Sequence, residues 1–144
     1  EDLRTLLSRC LAAVVALAGA EAGAVRLVSD DGTQLELAGD FGLPEDVHRC
    51  ETSVDVHCGS CGRAVDGAGT VWSADLRACS ARAGGIWFGD VCRQLVAVPL
   101  QHRGRVFGVY NLYFTAATNL AEPVRSLLRC CLWGAMTRRV GGLR

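Results

Sequence analysis

Along the first eighteen residues the apolar positions recur at intervals of three and four. Leu3, Leu6, Leu7, Cys10, Leu11, Val14, Val15 and Ala18 form one unbroken stripe, which predicts an amphipathic helix ending near Gly19. Ala24 to Val28 then reads as a strand, and Asp30-Asp31-Gly32 is a hairpin turn signal. Gln34-Leu35-Glu36-Leu37 alternates strictly, as a strand with one wet face does. Gly42-Leu43-Pro44-Glu45-Asp46 opens a short helix: proline suits a first turn, and the two acids suit its positive end. Thr52 to Val56 is a short strand. Gly59 and Gly62 bracket a tight turn, followed by a brief helix at Arg63 to Val65 that Gly67 and Gly69 end. Thr70 to Ala74 is another strand. From Leu76 to Arg93 no clean period is visible, and an irregular connection of that length inside a domain is more often functional than idle.

The second half carries the clearest pattern. Gln94 to Leu100 and Arg105 to Phe114 form a hairpin about the polar turn His102-Arg103-Gly104. In its second strand both faces are apolar, with Val106, Gly108, Tyr110 and Leu112 on one and Phe107, Val109 and Tyr113 on the other. Such a strand belongs at the centre of a sheet covered on both sides. Glu122 and Pro123 then start a last helix. Its stripe of Val124, Leu127, Leu128, Cys131, Leu132, Ala135 and Met136 repeats that of the first. The predicted class is α+β: an antiparallel sheet with the terminal helices on one face and short helices and loops forming a pocket on the other.

Composition narrows the function. At 144 residues, half of them apolar, the chain is expected to be a single domain with ample core. Fifteen basic residues, all arginine, balance fifteen acidic ones, and no basic stripe points to nucleic acid. The apolar run from Leu11 to Ala20 lies within the helical stripe and does not read as a signal sequence, and no stretch is long enough for a membrane span. Because the chain opens at Glu1 rather than at methionine, it is read as one domain, residues 1–144, of a longer protein. Eight cysteines would form a disulfide framework in a small secreted domain with a weak core. In a chain with this much core they point to metal or redox chemistry in a reducing, cytoplasmic setting.

Three stretches carry a resemblance to a known family. They are Phe41-Gly42-Leu43-Pro44, then Cys61-Gly62-Arg63-Ala64, and Leu95-Val96-Ala97-Val98-Pro99-Leu100 followed by Gly104-Arg105-Val106-Phe107-Gly108-Val109-Tyr110-Asn111-Leu112. The chain resembles a GAF domain over roughly residues 3–140 and is most similar to those of bacterial sensor proteins, of the histidine-kinase or transcriptional-regulator type. The resemblance implies a central antiparallel sheet of about six strands, a small-molecule or cofactor pocket on one face, a homodimer, and an output kinase or regulator domain in the same longer chain. The departure is the cysteine content, which argues for a cysteine-ligated cofactor over a generic nucleotide.

Cys50, Cys58, Cys61, Cys79 and Cys92 crowd a window that also holds His48 and His57. Cys10 and Cys131 fall on helix stripes, with Cys130 beside one, and read as packing residues. Cys58-Gly59-Ser60-Cys61 is a C-x-x-C whose two thiolates could reach one metal or cluster. Gly62 stands where a c-type haem motif needs histidine, and a thioredoxin-like pair would need a strand-to-helix junction in a parallel sheet. Cys79 and Cys92 bracket the irregular segment, where Trp87 and Phe88 could shield a cofactor from water. If residues 51–57 are extended, Cys50 and Cys58 stand up to about 26 Å apart at roughly 3.3 Å per residue. So either that segment bends and Cys50 is a ligand, or the four ligands are Cys58, Cys61, Cys79 and Cys92. His57 is a replacement ligand, and His48 and His102 are read as solvated.

Four thiolates suit zinc or an iron–sulfur cluster. One close pair and two singles, 18 and 13 residues beyond the preceding ligand, favour iron–sulfur, with [4Fe–4S] preferred to [2Fe–2S] and zinc as the alternative. No serine–histidine–acid array, phosphate loop or paired carboxylate supports catalysis. The expectation is a non-catalytic sensor of oxygen, nitric oxide or redox poise. The alternatives are a small-molecule module with switchable thiols and a structural zinc site in a dimerisation domain.

Overall fold

The computed structural model of the chain describes residues 2–67, 69–84 and 86–116. Its first element, α1 (Leu3–Ala18), is the helix the apolar stripe predicts. Asp2 caps it by accepting a hydrogen bond from the Thr5 N–H at 2.8 Å. Gly19 closes it in the left-handed conformation, its own N–H reaching Ala16 O and the Ala20 N–H reaching Val15 O.

Among the described residues six antiparallel strands follow: β1 (Ala22–Val28), β2 (Gln34–Phe41), β3 (Ser53–Asp55), β4 (Val71–Ser73), β5 (Gln94–His102) and β6 (Arg105–Phe114). They stand in the order β3-β2-β1-β6-β5-β4. The strand with two apolar faces, β6, lies in the middle, bonded to β1 on one side and β5 on the other, as its sequence predicts.

Side-chain alternation divides the strands between two cores. On one face Val25, Val96, Val98, Leu100, Tyr110, Leu112 and Phe114 pack against Leu7, Leu11, Val14, Val15 and Ala18 of α1. On the other, Ala22, Ala24, Leu35, Leu37, Leu95, Ala97, Val109 and Tyr113 lie beneath the short helices α2 (Glu45–Cys50), α3 (Gly59–Gly67) and α4 (Arg77–Ala83) and the turn Trp87–Val91. The α+β layering is therefore as expected. The last helix, with Cys130 and Cys131, lies outside the described residues.

Two elements differ from the sequence reading. The brief helix predicted at Arg63 to Val65 is a longer one that takes in Cys61 and begins directly after Cys58. The stretch after Leu76, which shows no period, contains α4. That helix has no buried residue, so it lacks the apolar stripe by which a helix is recognised in sequence. His48, read as solvated, sits 3.2 Å from Asp40 through Nδ1 and is about one-third exposed, at 31%.

Candidate functional site

The pocket-side face of the sheet contributes three polar side chains. Arg26 shares the parity of Ala22 and Ala24 on β1, and Asn111 shares that of Val109 and Tyr113 on β6; both are 1% exposed. Tyr113 is buried beside them, and burial pushes its phenol well above its ordinary value. Glu51, the residue after α2, is fully buried, whereas its neighbour Cys50 is exposed. From this segment it is thus the carboxylate that enters the pocket.

A buried carboxylate needs partners. Glu51 has two. Arg82 on α4 donates from Nε and Nη2 to its two carboxylate oxygens, at 2.6 and 3.0 Å. Arg26 donates from Nη1 to the Glu51 backbone oxygen at 2.6 Å and places Nη2 3.7 Å from its carboxylate. Burial works against the charge of both arginines. For Arg82 the bonds from Glu51, and for Arg26 the neighbouring Tyr113, Cys61 and Glu51, hold the guanidinium above its ordinary range.

The same two arginines lead to the C-x-x-C. Arg82 Nη1 lies 2.6 Å from Cys58 Sγ. Arg26 Nε donates to Asn111 Oδ1 at 3.3 Å, and the Asn111 amide faces Cys61, with Nδ2 3.3 Å from Sγ. A chain of polar contacts therefore runs Cys58, Arg82, Glu51, Arg26, Asn111, Cys61 and joins both thiols of the motif through α4, β1, β6 and α3.

Local backbone chemistry sets the motif in place. Cys58 immediately precedes the first residue of α3, its N–H bonded to Asp55 O, and its carbonyl accepts from the Gly62 N–H. A Cβ on Gly62 would stand 2.5 Å from the His57 carbonyl carbon, so no other residue fits there without a shift of backbone. Cys79, on α4, lies within electrostatic reach of Cys58 and Cys61, and burial pushes its thiol to about 12. Burial likewise raises the Cys61 thiol, against the opposing effects of Arg26 and the Asn111 hydrogen bond.

Of the five cysteines singled out in sequence, then, Cys58, Cys61 and Cys79 come together. Cys92 is fully buried, its Sγ 3.5 Å from Gln94 O, and burial pushes it to about 11. His57 is exposed and 3.8 Å from Asp66. Trp87 and Phe88 stack edge-on to Tyr113, with ring centroids 5.4 and 5.8 Å away, so they close the aromatic side of the pocket. Among the described residues, no group of three or more His, Cys, Asp or Glu is arranged to hold a metal ion. Sequence reading passed over Arg26, Glu51, Arg82 and Asn111. The available signal was an arginine at an inward position of an otherwise apolar strand.

Among solved structures the chain is similar to a GAF domain from a phosphoenolpyruvate-protein phosphotransferase of Coxiella burnetii, at 16% identity and a TM-score of 0.76, over 99% of this chain and 88% of that one. It is similar to the second GAF domain of DevS from Mycobacterium smegmatis, at 17% identity and a TM-score of 0.69, over 98% and 96%. It also resembles the free methionine-R-sulfoxide reductase of Neisseria meningitidis in complex with its substrate, at 23% identity and a TM-score of 0.71, over 96% and 81%. No curated protein matches the chain. The family model for the GAF domain matches residues 1–129, and the chain belongs to the GAF domain family.

Proposed function

We propose that this domain is a redox-sensing regulatory module whose sensor is the thiol pocket of Cys58, Cys61 and Cys79. The observation that carries the reading is the chain of contacts from Cys58 through Arg82, Glu51, Arg26 and Asn111 to Cys61. Oxidising either thiol of the motif breaks one end of that chain. It thereby disturbs α4 through Arg82 or the central strand β6 through Asn111. A change at a sulfur so becomes a change in how the short helices pack on the sheet. An output kinase or regulator domain in a longer chain, and a homodimer seam along the terminal helices in a cytoplasmic protein, complete the proposal. Thiol counting by alkylation and mass spectrometry, before and after a mild oxidant and alongside near-ultraviolet circular dichroism, tests it. Loss of two thiols with an altered spectrum is expected; an unchanged thiol count overturns it.

An iron–sulfur cluster is the second reading, supported by the C-x-x-C and by Cys79 sharing its pocket. Three of the thiols share the pocket, although among the described residues no three such donors are arranged to hold a metal ion. The fourth donor does not lie with them, since Cys92 is held at Gln94 O and Cys50 is exposed. Anaerobic purification with visible absorption and iron and sulfide analysis distinguishes the readings. Iron with labile sulfide replaces the thiol switch by a cluster, and one zinc without iron makes the site structural.

A further inference from the structure

We infer that Cys58 is a nucleophilic thiol that reduces hydroperoxides and that Cys61 resolves the product into a Cys58–Cys61 disulfide. This rests on the redox-sensing reading and adds to it the oxidant class, the order of the two sulfurs and a role for Arg82.

The two thiols of the motif have unlike surroundings. Cys58 sits at the amino end of α3, where backbone N–H groups point outward and favour negative charge. It is half-buried, so a small oxidant can reach it. A guanidinium nitrogen lies 2.6 Å from its sulfur. The thiolate is the form that attacks, and a neighbouring cation at a helix start favours that form. Two guanidinium groups share one buried carboxylate here, and the third nitrogen of Arg82 is turned to the sulfur of Cys58. The two arginines act on Cys61 through space, and its hydrogen-bonding neighbour is the neutral amide of Asn111. Burial pushes its thiol up, so Cys61 is the slower of the two to attack peroxide and gives up its proton only when it meets the oxidised Cys58. Cys58 precedes α3 and Cys61 lies in its first turn; residues three apart there have Cβ atoms about 5–6 Å apart, so the pair closes by about 1–2 Å to form a disulfide.

The chemistry balances as follows. The Cys58 thiolate attacks one oxygen of R–O–O–H. An S–O bond forms, the O–O bond breaks, and the leaving alkoxide takes a proton to become R–OH. Sulfur is oxidised by two electrons and the peroxide reduced by two. The Cys61 sulfur then attacks the sulfenic sulfur of Cys58. The S–S bond forms, S–O breaks, and the hydroxyl leaves as water with the Cys61 proton. Arg82 loses its sulfur partner in this second step and keeps only Glu51.

The test treats the reduced chain with one equivalent of cumene hydroperoxide, maps thiols by peptide mass spectrometry, and traps sulfenic acid with dimedone. In the unaltered chain the expected product is a Cys58–Cys61 disulfide. In Cys61→Ser, dimedone is expected on Cys58. In Arg82→Ala, loss of Cys58 thiol is expected to slow by roughly an order of magnitude. A dimedone adduct on Cys50 or Cys79 in place of Cys58, or a Cys58–Cys79 bridge, overturns the assignment while leaving redox sensing intact. No thiol loss at all overturns both. The Cys61→Ser mapping retains Arg82 and Glu51, so it decides the order of attack even if Arg82→Ala fails to fold.

Discussion

Arg82 reaches back 24 residues along the chain to Cys58, its Nη1 2.6 Å from the sulfur, while its Nε and Nη2 grip the carboxylate of Glu51. One side chain thus joins a fully buried acid to a half-buried thiol. Because α4 has no buried side chain of its own, this three-way contact is the principal polar tie between that helix and the pocket. The stability of the short-helix layer is therefore linked to the chemical state of a sulfur.

The tie is asymmetric, and substitution exposes this. Glu51→Ala leaves Arg26 buried without its carboxylate and is expected to destabilise the domain by about 3–5 kcal/mol. Arg82→Ala leaves Glu51 with Arg26 as its cation, and Arg82 is itself 25% exposed, so the expected cost is smaller, about 1–2 kcal/mol. Urea denaturation of both variants measures the difference. Equal losses would show that Arg26 does not support Glu51 when Arg82 is gone.

Gly62 fixes the entry to α3. Gly62→Ala forces a methyl group into the His57 backbone at 2.5 Å and is expected to cost about 1–3 kcal/mol and to displace Cys58. Gly67→Ala, at the other end of the same helix, meets no atom within 4 Å and is expected to leave stability nearly unchanged. Comparing the two melting temperatures checks that the strain is specific to the C-x-x-C turn.

A pH titration separates the thiols. Cys79 is raised from 9.0 to about 12 and Cys92 to about 11, both by burial. Their folded values lie above the unfolded one. The unfolded chain therefore gives up these protons first, and stability is unaffected below about pH 9 and falls between there and about pH 12. Alkylation at pH 8 is expected to label exposed Cys50 rapidly, half-buried Cys79 slowly because its thiol is held protonated, and Cys92 only once the domain unfolds. Rapid labelling of Cys92 in the native state would contradict its burial.

The opposite face of the sheet supplies a control. Leu11→Ala removes a fully buried side chain from the α1 core and is expected to cost about 2–5 kcal/mol. It touches none of the pocket residues, so the native fraction should keep its Cys58 reactivity. A parallel loss of reactivity would mean that the pocket's chemistry depends on the packing beneath α1.

Local pattern alone determined much of this domain. Its reach ends where the chain returns on itself. The stripe of α1 and the doubly apolar strand β6 are legible because burial of one face or two leaves a period in the residues themselves. The C-x-x-C is legible because its spacing is local. Tertiary structure decided the rest. It chose Glu51 over its neighbour Cys50 as the group that enters the pocket, since the end of α2 turns one side chain in and the other out. It brought Cys79 to the motif and left Cys92 at Gln94 O, a choice that depends on α4, which carries no apolar stripe. It paired Arg26 with Asn111, 85 residues apart, because β1 and β6 are neighbours in the sheet and not in the chain. Charges that look solvated in a sequence become a site when folding removes their water and leaves them only one another.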